Sequence, residues 1–198
     1  WAVPVAVMCG IYLAEYGRGR FASAARVAAD TRTGVPSSIM GNFGAILIVL
    51  PTNRFSAWAG SAALSMIFIP VVVRTTEDML RTVPTTVREA ALALGIERWK
   101  TILYITVRTA SAGILTGILL AMARIIGETA PLLFTSFNNS FFSTDMNGPV
   151  ASLTVTIFQY AMGPYDDWHR QAWAASFITT LFILGLTVAG RALLKWRY

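Results

Sequence analysis

Charged residues are scarce in this 198-residue chain: they make up 13% of it, whereas 55% is hydrophobic. Soluble domains carry about 25% charged residues, so the composition excludes a soluble globular protein and indicates a membrane protein. Cysteine and histidine occur once each, as Cys9 and His169. A single cysteine excludes an internal disulfide framework, and this pair argues against a metal site built by the chain alone.

The chain also lacks an initiator methionine and any charged segment before its first apolar run, residues 1–13. A signal peptide begins with such a charged segment, so this run is not interpreted as one. A membrane-spanning helix needs about 20 apolar residues, more than residues 1–14 provide. We therefore expect the second half of a helix whose first half precedes residue 1.

Apolar runs separated by polar segments predict the helices of the chain. The predicted helices cover residues 21–32, 38–50, 55–73, 101–126, 150–162 and 173–194. Residues 55–73 form a clear span with Pro70 as a kink, because proline disrupts helix interiors. Residues 101–126 are the longest helix candidate, and 150–162 are expected to be partly buried. Polar loops are expected at residues 137–148 and 163–167.

The basic residues behind the net charge of +6 lie at the ends of apolar runs rather than in one patch, which argues against nucleic-acid binding. Loops rich in Lys and Arg face the cytoplasm. We assign to that side Arg18, Arg20, Arg26, Arg81, Arg88, Arg98, Lys100, Arg108, Arg191, Lys195 and Arg197. The opposite side has Arg54 and Arg170, so the C-terminus is expected to be cytoplasmic.

Residues 84–97 predict a short helix on the cytoplasmic side. Thr86 and Glu89 have the spacing of a capping box, with Pro84 just outside it. Alanine and leucine then favour helix, and Gly95 is a natural stop. Such a helix of two to three turns is too short and too charged to cross a membrane, so it should lie along the surface or protrude from it.

Two motifs carry a resemblance to a known family. Glu89-Ala90-Ala91, followed by Gly95 and Ile105, resembles the coupling loop of bacterial ABC importer permeases. The stretch from Arg124 through Gly127-Glu128-Thr129-Ala130-Pro131 resembles the signature of phosphate permeases. Nearly the whole chain, from Tyr12 to the last span, is similar to the type I, MetI-like permease family. The chain departs from the pattern at Val107-Arg108, where a Leu-Pro pair is usual.

The resemblance implies an all-α transmembrane bundle of six helices. Residues 1–198 would form a single permease domain with four complete helices and part of the second, the first being absent. Glu89, Ala90, Ala91 and Gly95 would dock on an ATPase; the alternative is an ordinary connector in which Glu89 only caps a helix. The chain has no Walker A motif, so ATP and Mg²⁺ are expected in a partner, with no cofactor here.

Arg124 and Glu128 lie near the outer end of an apolar run, where a charge costs about 2.5–3.5 kcal/mol. On a helical wheel both share a face with Gly113, Gly117 and Ala121, a stripe typical of close helix contacts. We therefore expect both charges to face the bundle interior and to be close enough to pair.

Two interpretations of this pair stay open: a structural ion pair that locks helices, or a substrate pathway in which Arg124 meets the anion and Glu128 orients it. Arg74 is a second pathway candidate, against the alternative of an interfacial arginine. If its helix continues to about residue 80, Arg74 lines the same route with Glu77 within reach.

The resemblance further implies a phosphate importer of the bacterial inner membrane. Its partners would be membrane lipid, a second, PstC-like permease, two PstB-like ATPase subunits and a periplasmic or lipid-anchored, PstS-like phosphate-binding protein. Because arginine suits any oxyanion, sulfate and molybdate stay open as substrates. A channel or scaffold without an ATPase partner is the alternative of a different class.

Overall fold

The structure of the chain is a computed structural model that describes residues 1–31, 34–141 and 143–195, the last three by backbone only. Within these residues it is all-α, with nine helices and no strand. The helices are α1 (Ala2–Glu15), α2 (Arg20–Thr31), α3 (Ser37–Thr52), α4 (Ala57–Arg81), α5 (Thr85–Ala93), α6 (Arg98–Ile126), α7 (Ala130–Thr135), α8 (Leu153–Ala161) and α9 (Asp166–Lys195). Short π-helical stretches lie inside α3 and α6.

Three of these helices, α4, α6 and α9, are long and apolar enough to cross a membrane. Three of the four complete spans that were expected are therefore found. Helix α3 is apolar but shorter than 18 residues, so it does not provide the fourth. Helix α9 begins at Asp166, so the loop predicted at 163–167 is wrong in its last two residues. Asp166 and Asp167 lie in the first turn, where acidic side chains interact favourably with the helix dipole. With 30 residues, α9 also exceeds the 29 of α6, which was expected to be the longest.

Helix α4 continues through Pro70 and past the predicted boundary at residue 73 to Arg81. It ends before Val83-Pro84, since a residue that precedes proline disfavours the helical conformation. Arg74 therefore lies seven residues inside the helix end rather than at the end of a span. The condition that would bring Glu77 within one turn of Arg74 is met.

The described residues divide into two compact units, and the first combines α1, α2, α5, the second half of α4 and most of α6. Its core contains Leu80, Val83, Ala110 and Ile114. Gly117 of α6 faces Thr75 of α4 so closely that a Cβ atom would overlap the Thr75 side chain. Likewise, a Cβ at Gly10 would lie 2.6 Å from Thr76 Cβ. The predicted close contact along the glycine stripe of α6 is thus confirmed, and helix α4 is its partner.

The second unit contains residues 34–67 and 122–190. Helices α3 and α7 approach closely, since a Cβ at Gly41 would lie 2.7 Å from Pro131 Cα. Helix α8 joins through a hydrogen bond from Thr154 Oγ1 to the Glu128 carbonyl, 3.2 Å. Helix α8 lies within the predicted 150–162, but α7 was not predicted, because its six residues leave too short a pattern to recognise.

The contact at Gly117 generates a prediction about stability. We expect Gly117→Ala to lower the melting temperature of the purified complex, because overpacking a tight contact costs about 1–3 kcal/mol. Gly185→Ala is the matched control, since a Cβ there meets nothing within 4 Å. Adding Thr75→Ser, which removes the opposing methyl group, should restore part of the loss. Equal melting temperatures for the two glycine variants would contradict the contact.

Candidate functional site

Arg124 and Glu128 flank the end of α6 rather than lying on one continuous helix. Helix α6 ends at Ile126, and a turn follows in which the Gly127 and Glu128 amides bond the carbonyls of Arg124 and Ile125. The helical wheel that extended to Glu128 is therefore wrong beyond Ile126. Gly127 interrupts it, and Pro131 in the first turn of α7 starts the next helix.

The two charged side chains are close, as predicted, but their pairing is loose. Arg124 Nε lies 3.9 Å from Glu128 Oε1, whereas a charge-assisted hydrogen bond measures about 2.7–2.9 Å. The Arg124 side chain is 64% exposed and that of Glu128 is 16% exposed. Within the described chain, Arg124 thus does not face an interior. At this distance the pair is too loose to act as a structural lock between helices.

The turn that carries Glu128 is fixed by its surroundings. Its carbonyl accepts the hydrogen bond from Thr154 of α8, and the next helix, α7, packs on α3 through Pro131. The Glu128 carboxylate therefore has a defined position beside the Arg124 guanidinium, which makes no hydrogen bond to any described residue. Such a guanidinium keeps its five donors available for an anion.

Glu77 is the centre of a second charged cluster, in the first unit. Its side chain is 1% exposed, and its Oε1 accepts hydrogen bonds from Arg26 Nε at 2.7 Å and Arg81 Nη2 at 2.6 Å. Its Oε2 has no hydrogen bond within the described residues, and Arg74 Nη1 lies 3.6 Å away. The expected proximity of Arg74 and Glu77 is confirmed.

Arg74 lies among carboxylates rather than in an excess of positive charge. Besides Glu77, Asp30 and Asp78 lie 3.5 Å and 3.6 Å from its Nε. Each distance exceeds that of a direct charge-assisted hydrogen bond. An anion that approached Arg74 would thus meet three neighbouring acids. Arg74 and Arg124 belong to different compact units, so a shared route stays a prediction.

Sequence reasoning missed Arg26 and Arg81 as partners of Glu77. Arg81 follows Glu77 by four residues on one helix, a spacing that signals pairing once the helix is known to continue. Arg26 lies 51 residues away, and no sequence pattern indicates that contact. In the described residues, no group of three or more His, Cys, Asp or Glu side chains is arranged to hold a metal ion.

Helix α5 carries the proposed coupling motif. Its N-cap is Pro84 and no side chain caps it, so the capping box predicted from Thr86 and Glu89 is wrong. Its end is as predicted: Gly95 adopts φ +79°, a left-handed conformation that suits glycine. The Gly95 amide bonds the Leu92 carbonyl and the Ile96 amide bonds that of Ala91, which is a Schellman motif.

The four coupling candidates differ in exposure. Glu89, Ala90 and Gly95 are exposed, whereas Ala91 is buried within its own chain and is not available to a partner in this conformation. Leu94, 81% exposed, adds apolar surface at the C-terminal end of α5. Arg88 connects α5 to the rest of the chain: it donates a 2.6 Å hydrogen bond to the Leu80 carbonyl and forms a 3.0 Å ion pair with Glu15.

Comparison with known proteins identifies relatives along nearly the whole chain. The family of binding-protein-dependent transport system inner membrane components matches residues 6–196. The phosphate transport system permease protein PstA of Haemophilus influenzae is 51% identical over 95% of this chain and 67% of its own length. That of Yersinia pestis is 49% identical, over 96% and 65%.

A more distant relative, the phosphate transport system permease protein PstA of Mycobacterium leprae, is 38% identical over 96% of this chain and 64% of its own length. The chain thus spans about two thirds of the length of the relatives it matches. The match nevertheless includes both charged clusters and helix α5. The chain belongs to the family of binding-protein-dependent transport system inner membrane components, and its similarity there is to PstA permeases.

Proposed function

We propose that this chain is a transmembrane permease subunit of an ATP-driven importer that moves inorganic phosphate inward by alternating access. The observation that carries the proposal is the 51% identity to a phosphate permease over 95% of the chain. As a permease component, the chain does not itself hydrolyse ATP. Helix α5 and the C-terminus would face the cytoplasm, in keeping with the distribution of Lys and Arg.

Arg124 is the residue that we propose to meet phosphate in transit. Its guanidinium is exposed, is loosely paired with Glu128, and makes no hydrogen bond to any described residue. A planar guanidinium binds phosphate oxygens through two parallel hydrogen bonds, which a carboxylate 3.9 Å away does not prevent. Glu128, held by its turn, limits the orientations that Arg124 adopts. Arg74 has the same chemistry but lies among three carboxylates, so its role would be secondary.

Helix α5 is proposed to dock on an ATPase subunit through Glu89, Ala90 and Gly95, with Ala91 as a spacer buried beneath them. The full importer would contain a second, homologous permease, two ATPase copies and an external phosphate-binding protein. Closure of the ATPases on ATP and Mg²⁺ would move α5, and with it the helices to which Arg88 is bound.

The substrate is tested by ATP-dependent uptake of labelled phosphate in proteoliposomes that contain the full-length permease with its partners. We expect uptake to be inhibited by excess arsenate, which mimics phosphate in charge and protonation, and to be unaffected by sulfate or molybdate. Inhibition by sulfate or molybdate would assign another oxyanion. Phosphate uptake that proceeds without ATP would contradict the importer mechanism and favour a channel.

The role of Arg124 is tested by Arg124→Gln. Losing a hydrogen bond to a charged group costs about 1.5–3 kcal/mol, so we expect phosphate uptake to fall roughly ten- to a hundredfold. Assembly with the ATPase should persist. Arg170→Gln is the control, because Arg170 is an exposed arginine of α9 whose side chain makes no hydrogen bond or ion pair with any described residue. Uptake at the wild-type rate in Arg124→Gln would exclude the pathway role.

The coupling role is tested by Glu89→Lys, which reverses an exposed charge on α5. We expect weaker association with the ATPase and loss of uptake. Glu97→Lys is the matched control with the same charge change, since the ion pair of Glu97 within the described part of the chain is with exposed Lys100 at 3.0 Å, and such a pair contributes little. Normal association and uptake in Glu89→Lys would favour the alternative of an ordinary connector.

A further inference from the structure

A second basic feature lies in the first unit, away from Arg124. A cavity of about 480 Å³ is lined by the end of α1 and the residues after it, the middle of α2, the end of α4, helix α5 and the start of α6. Its charged lining consists of Glu15, Arg18, Arg26, Arg81, Arg88 and Arg98. Five arginines thus line a space that has room for more than one water-sized group.

The carboxylates near this cavity do not balance its arginines. Glu15 lies 3.0 Å from Arg88, and Glu77, which does not line the cavity, binds Arg26 and Arg81. These two are the carboxylates within ion-pair distance of the five arginines in the described chain, which leaves three positive charges unmatched. Converging like charges repel one another, so the arrangement favours a bound anion.

Two of the arginines retain unused donors. Arg88 Nε is buried and has no hydrogen-bond acceptor among the described residues. Arg18 lines the cavity without a hydrogen bond or ion pair from its side chain to any described residue. A buried donor without an acceptor is destabilising, and an anion in the cavity would supply the missing acceptor.

We propose that this cavity binds a phosphoryl oxyanion, with Arg18 and Arg88 as its principal donors. A tetrahedral group offers several oxygens at once, which suits guanidinium groups that converge from different elements. The ligand bridges the α1–α2 connection and helix α5, and therefore restrains the coupling helix. Free cytoplasmic phosphate and the headgroup of an anionic lipid share this chemistry. The proposal rests on the proposed function for the choice of phosphate as the probe, for the coupling role of α5 and for the side of the membrane.

The site is tested by hydrogen–deuterium exchange on the full-length importer complex, without its external binding protein, in phosphatidylcholine nanodiscs. We expect inorganic phosphate, compared with chloride at equal ionic strength, to slow exchange in peptides covering residues 16–20 and 85–98. Arg18→Gln should raise the phosphate concentration for half-maximal protection at least about tenfold, since a charge-assisted hydrogen bond is lost.

Arg20→Gln is the matched control, because it removes the same charge two residues away but does not line the cavity. Equal weakening by both variants would indicate diffuse attraction and overturn the site. Protection that requires phosphatidylglycerol in the nanodisc and not free phosphate would assign the ligand to lipid. No protection of these peptides by either source would overturn the proposal.

Exchange at residues 122–136 and uptake assays report the transport pathway separately. Protection around the cavity without phosphate uptake would uphold this site and contradict the proposed function. Phosphate uptake without protection around the cavity would uphold the proposed function and contradict this site.

Discussion

The first unit depends on how one buried negative charge is compensated. Glu77 is almost fully removed from solvent, and removing one partner from a buried ion pair costs about 3–5 kcal/mol. Its two short hydrogen bonds come from different elements, α2 and the last turn of α4. Arg26 also donates to the carbonyls of Leu13 and Gly17, at the end of α1. One carboxylate therefore fixes the meeting point of three helices.

Arginine serves distinct purposes in this chain according to the acids around it. Arg26 and Arg81 are paired with the buried carboxylate of Glu77, and Arg74 lies among three acidic side chains at longer distances. Arg124 has one distant partner and high exposure. Some arginines thus hold the structure together, whereas others are available to bind an anion. The local balance of charge, rather than the presence of arginine, indicates where an anion can bind.

Features that depend on local geometry were predictable from the sequence. The glycine stripe of α6 and the stop at Gly95 follow from the absence of a side chain, which either permits close approach or tolerates a left-handed backbone. The capping box failed because Pro84 takes the N-cap position, and the wheel failed at Glu128 because Gly127 ends the helix. Contacts such as Arg26–Glu77 depend on tertiary packing across 51 residues, which no local pattern encodes.

The connections on either side of α5 are short, with three residues, 82–84, before it and four, 94–97, after it. A chain of three residues extends at most about 10–11 Å, so neither connection provides much slack. Arg88 adds a crosslink from α5 to the last turn of α4 and to the end of α1. A displacement of α5 is consequently transmitted to the attached ends of α1, α4 and α6, because the short connections and the Arg88 contacts leave little room for α5 to move independently.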